Sequence, residues 1–157
     1  MQETEIVDDF RRYDDRIEGY YLEDLAVGMS ASFAKTLTDA DIILFSGVSG
    51  DTNPVHLNEE YARETLFKGR ISHGMLSAGF ISAVLGTKLP GPGAIYISQS
   101  LRFTAPVRAG DTVTARCTVT EIVPEKRRAV LKTECLVGGK VVIDGEATVM
   151  VPTREKA

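Results

Sequence analysis

The chain has 157 residues, enough for one compact domain with a real core, and its 43% hydrophobic and 25% charged residues, without a low-complexity tract, are those of an ordinary globular protein. A formal charge of -4 argues against broad electrostatic binding to nucleic acid, whose phosphates need a basic face. The acidic start "MQETEIVDDFRRYDDR" lacks the basic-then-apolar order of a secretory signal, and the longest apolar run, inside "MLSAGFISAVLG", falls short of the about 20 residues of a membrane span. A cytoplasmic protein with no membrane contact is expected.

In chain order, residues 1–20 are expected as a tail, and "YYLEDLAVGM" as an entry segment that packs on the domain. Ser30 to Leu37 reads as a short strand. Thr38 followed three residues later by Asp41 offers a capping box for a helix through "DADIILFSGVSG", with Gly47 and Gly50 as its stop. Proline pushes the preceding Asn53 into an extended conformation, so Asp51 to His56 is expected as an irregular loop, and "NEEYARETL" as a short helix. From His73 to Leu89, the residues Met75, Leu76, Ala78, Phe80, Ile81, Val84 and Leu85 surround the helix axis. A helix that is apolar all round must be enclosed.

Beyond "LPGPG", Ile95, Ile97, Leu101 and Phe103 alternate with Tyr96, Ser98, Ser100 and Arg102, the pattern of a half-buried strand, with Gln99 a polar exception on the apolar face. Val113, Ala115, Cys117 and Val119 repeat the pattern in a second strand, "RRAVLKTECLV" gives a third, and Gly138-Gly139 suggests a tight hairpin into "KVVIDGEATVMV". An antiparallel meander with one apolar face most simply curls around the enclosed helix, an α+β fold. The domain spans 21–152, and 153–157 form a second tail. Cys117 and Cys135 fall in strands and are expected as buried free thiols, with neither a disulfide nor zinc-site spacing.

Both histidines lie in "GDTNPVHLNEEYARETLFKGRISHGML". Across the Asn-Pro turn Asp51 and His56 can converge, and a carboxylate beside an imidazole can hold one water and move its protons. The alternative is that Asp51 caps a turn and His56 is a satisfied loop histidine. Ser72 is the expected N-cap of the long helix, placing Gly74 in a first turn whose backbone N–H groups lack partners. Such a helix start stabilises developing negative charge, and glycine lets a ligand carbonyl approach the backbone. The alternative for Gly74 is tight packing, and His73 is read as a hydrogen-bonded core residue. Two histidines make a poor metal site, and "GPG" lacks the context of a dinucleotide fingerprint, so neither a metal nor a redox cofactor is expected.

"FSGVSGDTNPVHLNEEYA", "FKGRISHGML" and "IYISQSLRF" together resemble the MaoC-like family of (R)-specific enoyl-CoA hydratases, over about Tyr21 to Pro152. The resemblance implies a hot-dog fold, a curved antiparallel sheet wrapped around a long central helix. It implies reversible syn addition of water to a trans-2-enoyl-CoA, giving the (R)-3-hydroxyacyl-CoA. Asp51 and His56 fall on the family's catalytic dyad, Gly74 on its oxyanion-hole amide, and Asn53 on the motif asparagine, read as holding the loop in shape. Ser82 and Leu85 fall at the bottom of the acyl pocket, with Ser77 a further candidate for its lining.

The expected partner is an acyl-CoA thioester, which carries CoA as part of the substrate, met by a local basic cluster drawn from Lys68, Arg70, Arg102 and Arg108. A homodimer or larger assembly is expected because a curved sheet leaves an edge that needs cover, and the resemblance places two active sites near the subunit interface. Two other readings remain: a hot-dog thioesterase, and a non-catalytic acyl-CoA-binding module, which the presence of both Asp51 and His56 disfavours.

Overall fold

A five-stranded antiparallel sheet and one long helix carry the architecture of the computed structural model, which describes residues 18–154. The strands are β1 (Ser30–Thr36), β2 (Ile95–Phe103), β3 (Thr112–Val123), β4 (Arg128–Val137) and β5 (Lys140–Met150), in the spatial order β1-β3-β4-β5-β2. The meander β3-β4-β5 is the middle of the sheet, and β1 and β2 are its edges. Gly138 and Gly139, both at positive φ (56° and 78°), supply the two left-handed residues that a tight β4–β5 hairpin requires.

Alternation places Val113, Ala115, Cys117 and Val119 of β3, Ala129, Leu131 and Cys135 of β4, and Ala147 and Val149 of β5 in the core. Against them packs α4 (Gly74–Thr87) through Ala78, Ile81, Val84 and Leu85. Each fully buried aliphatic side chain of this size contributes about 1.5–3 kcal/mol. The α+β hot-dog arrangement expected from the sequence is the one observed.

Several local expectations are corrected. The long helix is covered on one side only: Met75, Gly79, Ser82 and Gly86 form an exposed stripe. The strand expected as half-buried, β2, is exposed along most of its length, with Ile95 56% and Phe103 51% accessible. Alternation identifies a face suited to burial without saying what buries it, and a single chain leaves this edge strand open. Helix α4 begins at Gly74 with His73, not Ser72, at the N-cap; the Ser72 hydroxyl is directed to the His73 carbonyl and its N–H bonds to the Val107 carbonyl at 2.6 Å. It ends at Thr87 and not Leu89; Lys88 and Leu89 both bond back to the Val84 carbonyl.

Upstream, α1 (Asp39–Ser49) opens on the expected capping box of Thr38 and Asp41. Gly47 lies within α1 and does not end it; Gly50, at φ 79°, is the stop. Residues 51–53 are irregular as expected, but His56 lies in a helical turn, α2 (Pro54–Leu57), which is followed by α3 (Glu59–Arg63). The entry segment contains a 3-10 turn at Leu22–Asp24, buries Leu22 and Leu25, and bonds to the Pro90 and Pro152 carbonyls. Most of the tail expected at 1–20, and the end of that at 153–157, lie outside the described residues. Cys117 and Cys135 are free and buried, and burial pushes both thiols up to about 12. Among the described residues no helix is long and apolar enough to cross a membrane.

Candidate functional site

Local turn chemistry shapes the loop after α1. The Asp51 carboxylate accepts from the Asn53 N–H (3.2 Å) through Oδ1, and the Asn53 side chain accepts from the Val55 N–H (3.1 Å), capping α2 with Pro54 at its first position. Asn53 is thus hydrogen-bonded within the loop through both its N–H and its side chain. His56, turned inward by α2, donates from Nδ1 to the Ile71 carbonyl at 2.8 Å. That carbonyl can only accept, so Nε2 is left as the acceptor nitrogen.

Asp51 Oδ2 and His56 Nε2 lie 3.9 Å apart, with the carboxylate half exposed and the imidazole buried. The gap is too long for a direct hydrogen bond and suits a single oxygen held by both groups. Both side chains line a cavity of about 420 Å³ whose other walls include Gly74, Met75, Phe103 and Ile143. As the first residue of a 14-residue helix, Gly74 presents a backbone N–H with no intrahelical acceptor at the positive end of the helix dipole.

The remaining expected site residues separate. Ser82 lines a second cavity of about 450 Å³ between α4 and β2, which shares Met75 with the first. Gln99 also lines it, and its amide is satisfied by Thr133 Oγ1 (2.8 Å) and the Tyr96 hydroxyl, which explains a polar side chain on an apolar face. Leu85 is in the core and lines neither cavity, and Ser77 is buried where Cys135 Sγ donates to its carbonyl. Of the four cations, Arg70 and Arg108 are engaged within the fold. Arg70 donates to the His56 carbonyl (2.7 Å) and Asp39 (2.6 Å), while Arg108 donates to the Arg70 and Phe67 carbonyls. Lys68 and Arg102 are exposed.

One residue at the site was not among the expected functional set. His73 stacks on His56 (ring centroids 3.8 Å apart, 30° between planes), and its Nε2 lies 2.9 Å from the Asp51 carbonyl oxygen. The sequence signal for it is only its place directly before Gly74. Asp51, His56 and His73 each offer one metal-ligand atom, all within 4.8 Å of one another. Of their ring nitrogens, Nδ1 of His56 and Nε2 of His73 are turned to carbonyls.

A MaoC-like domain model matches residues 25–144. The chain is 67% identical to an (R)-specific enoyl-CoA hydratase of Rhodospirillum rubrum over 86% of this chain and 94% of that one. It is 53% identical to a 3-hydroxybutyryl-CoA dehydratase of Methylorubrum extorquens, over 87% of each. Among solved structures, an R-hydratase, PhaJ1, of Pseudomonas aeruginosa superposes with a TM-score of 0.82 at 44% identity, covering 90% of this chain and 94% of that one. An (R)-hydratase of Aeromonas caviae involved in PHA biosynthesis superposes at 0.80 with 42% identity, covering 83% and 99%. By motif, fold and identity alike, the chain belongs to the MaoC-like family of (R)-specific hydratases.

Proposed function

We propose that the protein is an (R)-specific enoyl-CoA hydratase, a hydro-lyase that adds water syn to a trans-2-enoyl-CoA and also runs the reverse dehydration. One observation carries the site assignment: the Asp51–His56 pair, 3.9 Å apart, faces one cavity together with the amide that opens α4. The thioester oxygen is bound by the Gly74 N–H, where the helix dipole stabilises its growing enolate charge and leaves C3 electrophilic. Water is held between the Asp51 carboxylate and His56 Nε2. Its oxygen bonds C3, the dyad takes one of its protons, and a proton returns to C2, so the pair ends as it began. Both groups act from one wall, which makes the addition syn. Atoms and charge balance in this cycle without a metal or redox cofactor.

The second cavity, with Ser82 on its wall and Met75 at its junction with the first, is the proposed space for the acyl chain. Lys68, beside the cavity-lining Phe67, and Arg102, beside Phe103, are the proposed phosphate contacts of CoA. A second copy of the chain is proposed to cover β2 and the bare stripe of α4, as an apolar edge strand requires. Free buried thiols suit a reducing compartment, and a cytoplasmic location is proposed.

The test is to add crotonyl-CoA without metal and follow the conjugated enoyl absorbance alongside free thiol. Loss of absorbance without thiol is the expected result. Thiol release with the enoyl intact indicates a thioesterase, and neither signal across several chain lengths indicates a binding module.

A further inference from the structure

We infer that His73 is a positioning residue that fixes both members of the dyad with one ring. The inference rests on the hydratase reading above and assigns His73 no proton transfer.

Packing alone does not account for this histidine. Its ring, 2% exposed, meets Phe45 at a tilt of 60° (centroids 4.8 Å apart) and stacks on His56 (3.8 Å). A phenyl ring would fill that slot without carrying two ring nitrogens into the interior, where His73 Nδ1 is buried with no hydrogen-bond partner. The other nitrogen justifies the residue. Nε2 lies 2.9 Å from the Asp51 carbonyl oxygen and 3.1 Å from Ser46 Oγ. A carbonyl only accepts, so the hydrogen is on Nε2 and the bond runs from His73 to the backbone of Asp51.

That bond is placed where the site needs it. Asp51 sits on an irregular loop between Gly50 and α2, with its side chain half exposed, so its position depends on backbone anchors. The face of the same imidazole is the floor on which the His56 ring rests. His73 is also peptide-bonded to Gly74, so the amide proposed to bind the thioester oxygen and the anchor of the carboxylate belong to one rigid helix start. One hydrogen bond and one stacking contact thus tie both members of the water-holding pair to the residue that precedes the oxyanion amide. A misplacement of about 1 Å in such a constellation costs on the order of 10²-fold in rate.

The variant H73F keeps the ring and the stack and removes the donor. Its kcat for crotonyl-CoA is expected to fall about tenfold to a hundredfold with KM within about twofold. H73Q, which retains an N–H donor, is expected to recover part of the loss. The decisive readout is a cycle with D51N: if His73 acts through Asp51, H73F costs less than about twofold in the D51N background. Should H73F not fold, H73Q takes its place in the same cycle, with a smaller loss and the same coupling. Near wild-type kcat in H73F, or losses that simply multiply with D51N, overturn the inference alone. Full kcat in D51N overturns the role of Asp51 and this inference while the protein remains a hydratase; no hydration by the wild type overturns the hydratase reading and this inference with it.

Discussion

The ring of Phe103 stands where a side chain on Gly74 would have to go: a Cβ built on Gly74 overlaps the Phe103 ring atoms. The opening of α4 and the end of β2 are therefore in contact only because residue 74 has no side chain, and the same bareness leaves its N–H open to the cavity. Gly74→Ala is expected to lower stability by about 1–3 kcal/mol, the usual cost of overpacking. Its kcat/KM should fall at least about tenfold, because the methyl group also meets the thioester. Adding Phe103→Ala should return much of the thermal midpoint without returning activity. Recovery of both would mean that Gly74 matters for packing only.

Arg70 and Lys68 should separate cleanly in kinetics. Arg70 Nε and Nη2 tie the His56 carbonyl to Asp39, a two-point contact that a lysine cannot reproduce. Arg70→Lys is expected to lower kcat about tenfold with little change in KM, through His56. Lys68→Ala should instead raise KM for the CoA ester and leave kcat unchanged. An Arg70→Lys effect confined to KM would restore Arg70 as a phosphate contact.

The start of α1 should carry a pH signature. Lys35, 2.5 Å from Asp41 Oδ2, and the Thr38 N–H hold the Asp41 carboxyl down from its ordinary 3.8 to about 2. A folded-state value below the unfolded one stabilises the fold above the unfolded value and loses that stabilisation as pH falls through the folded one. Asp41→Asn should therefore lower the thermal midpoint at pH 7, and the gap to wild type should close between about pH 4 and pH 2. A gap that stays constant over that range would remove the charge from the explanation.

Light scattering at micromolar concentration should give at least a dimer mass, and Ile97→Lys on the exposed edge strand should shift it toward the monomer. A wild-type monomer would leave β2 and the α4 stripe bare in solution and contradict the proposed second copy.

How far the sequence reached depended on how local each interaction is. Asp51, Asn53 and His56 were legible because the Asx turn, the cap and the proline act within a few residues. The central strands were legible because burial alternates along most of β3 and β4 and through the second half of β5. The role of His73 was not, since it depends on a stack and a hydrogen bond that only the folded chain brings together. Ser72 was misread as a cap because the helix starts one residue later than its sequence suggested, and its hydroxyl turns to the His73 carbonyl instead of a helix N–H. Leu85 was placed at the pocket on resemblance, yet it shares the buried stripe of α4 with Ala78 and Ile81, whereas Ser82 lies on the exposed stripe.

The central claim is that Asp51 and His56 hold and deprotonate water, and Asp51→Asn tests it most directly. The amide keeps the volume and can still accept the Asn53 N–H through its oxygen, so the loop is preserved, but it cannot take a proton from water. With crotonyl-CoA, kcat should fall on the order of 10²-fold or more while KM and the thermal midpoint stay close to wild type. His56→Ala should lose a similar amount, and the double variant far less than the product of the two. An Asp51→Asn protein that keeps most of its kcat, beside a His56→Ala protein that only melts earlier, would make the pair a structural feature of the loop and contradict the mechanism.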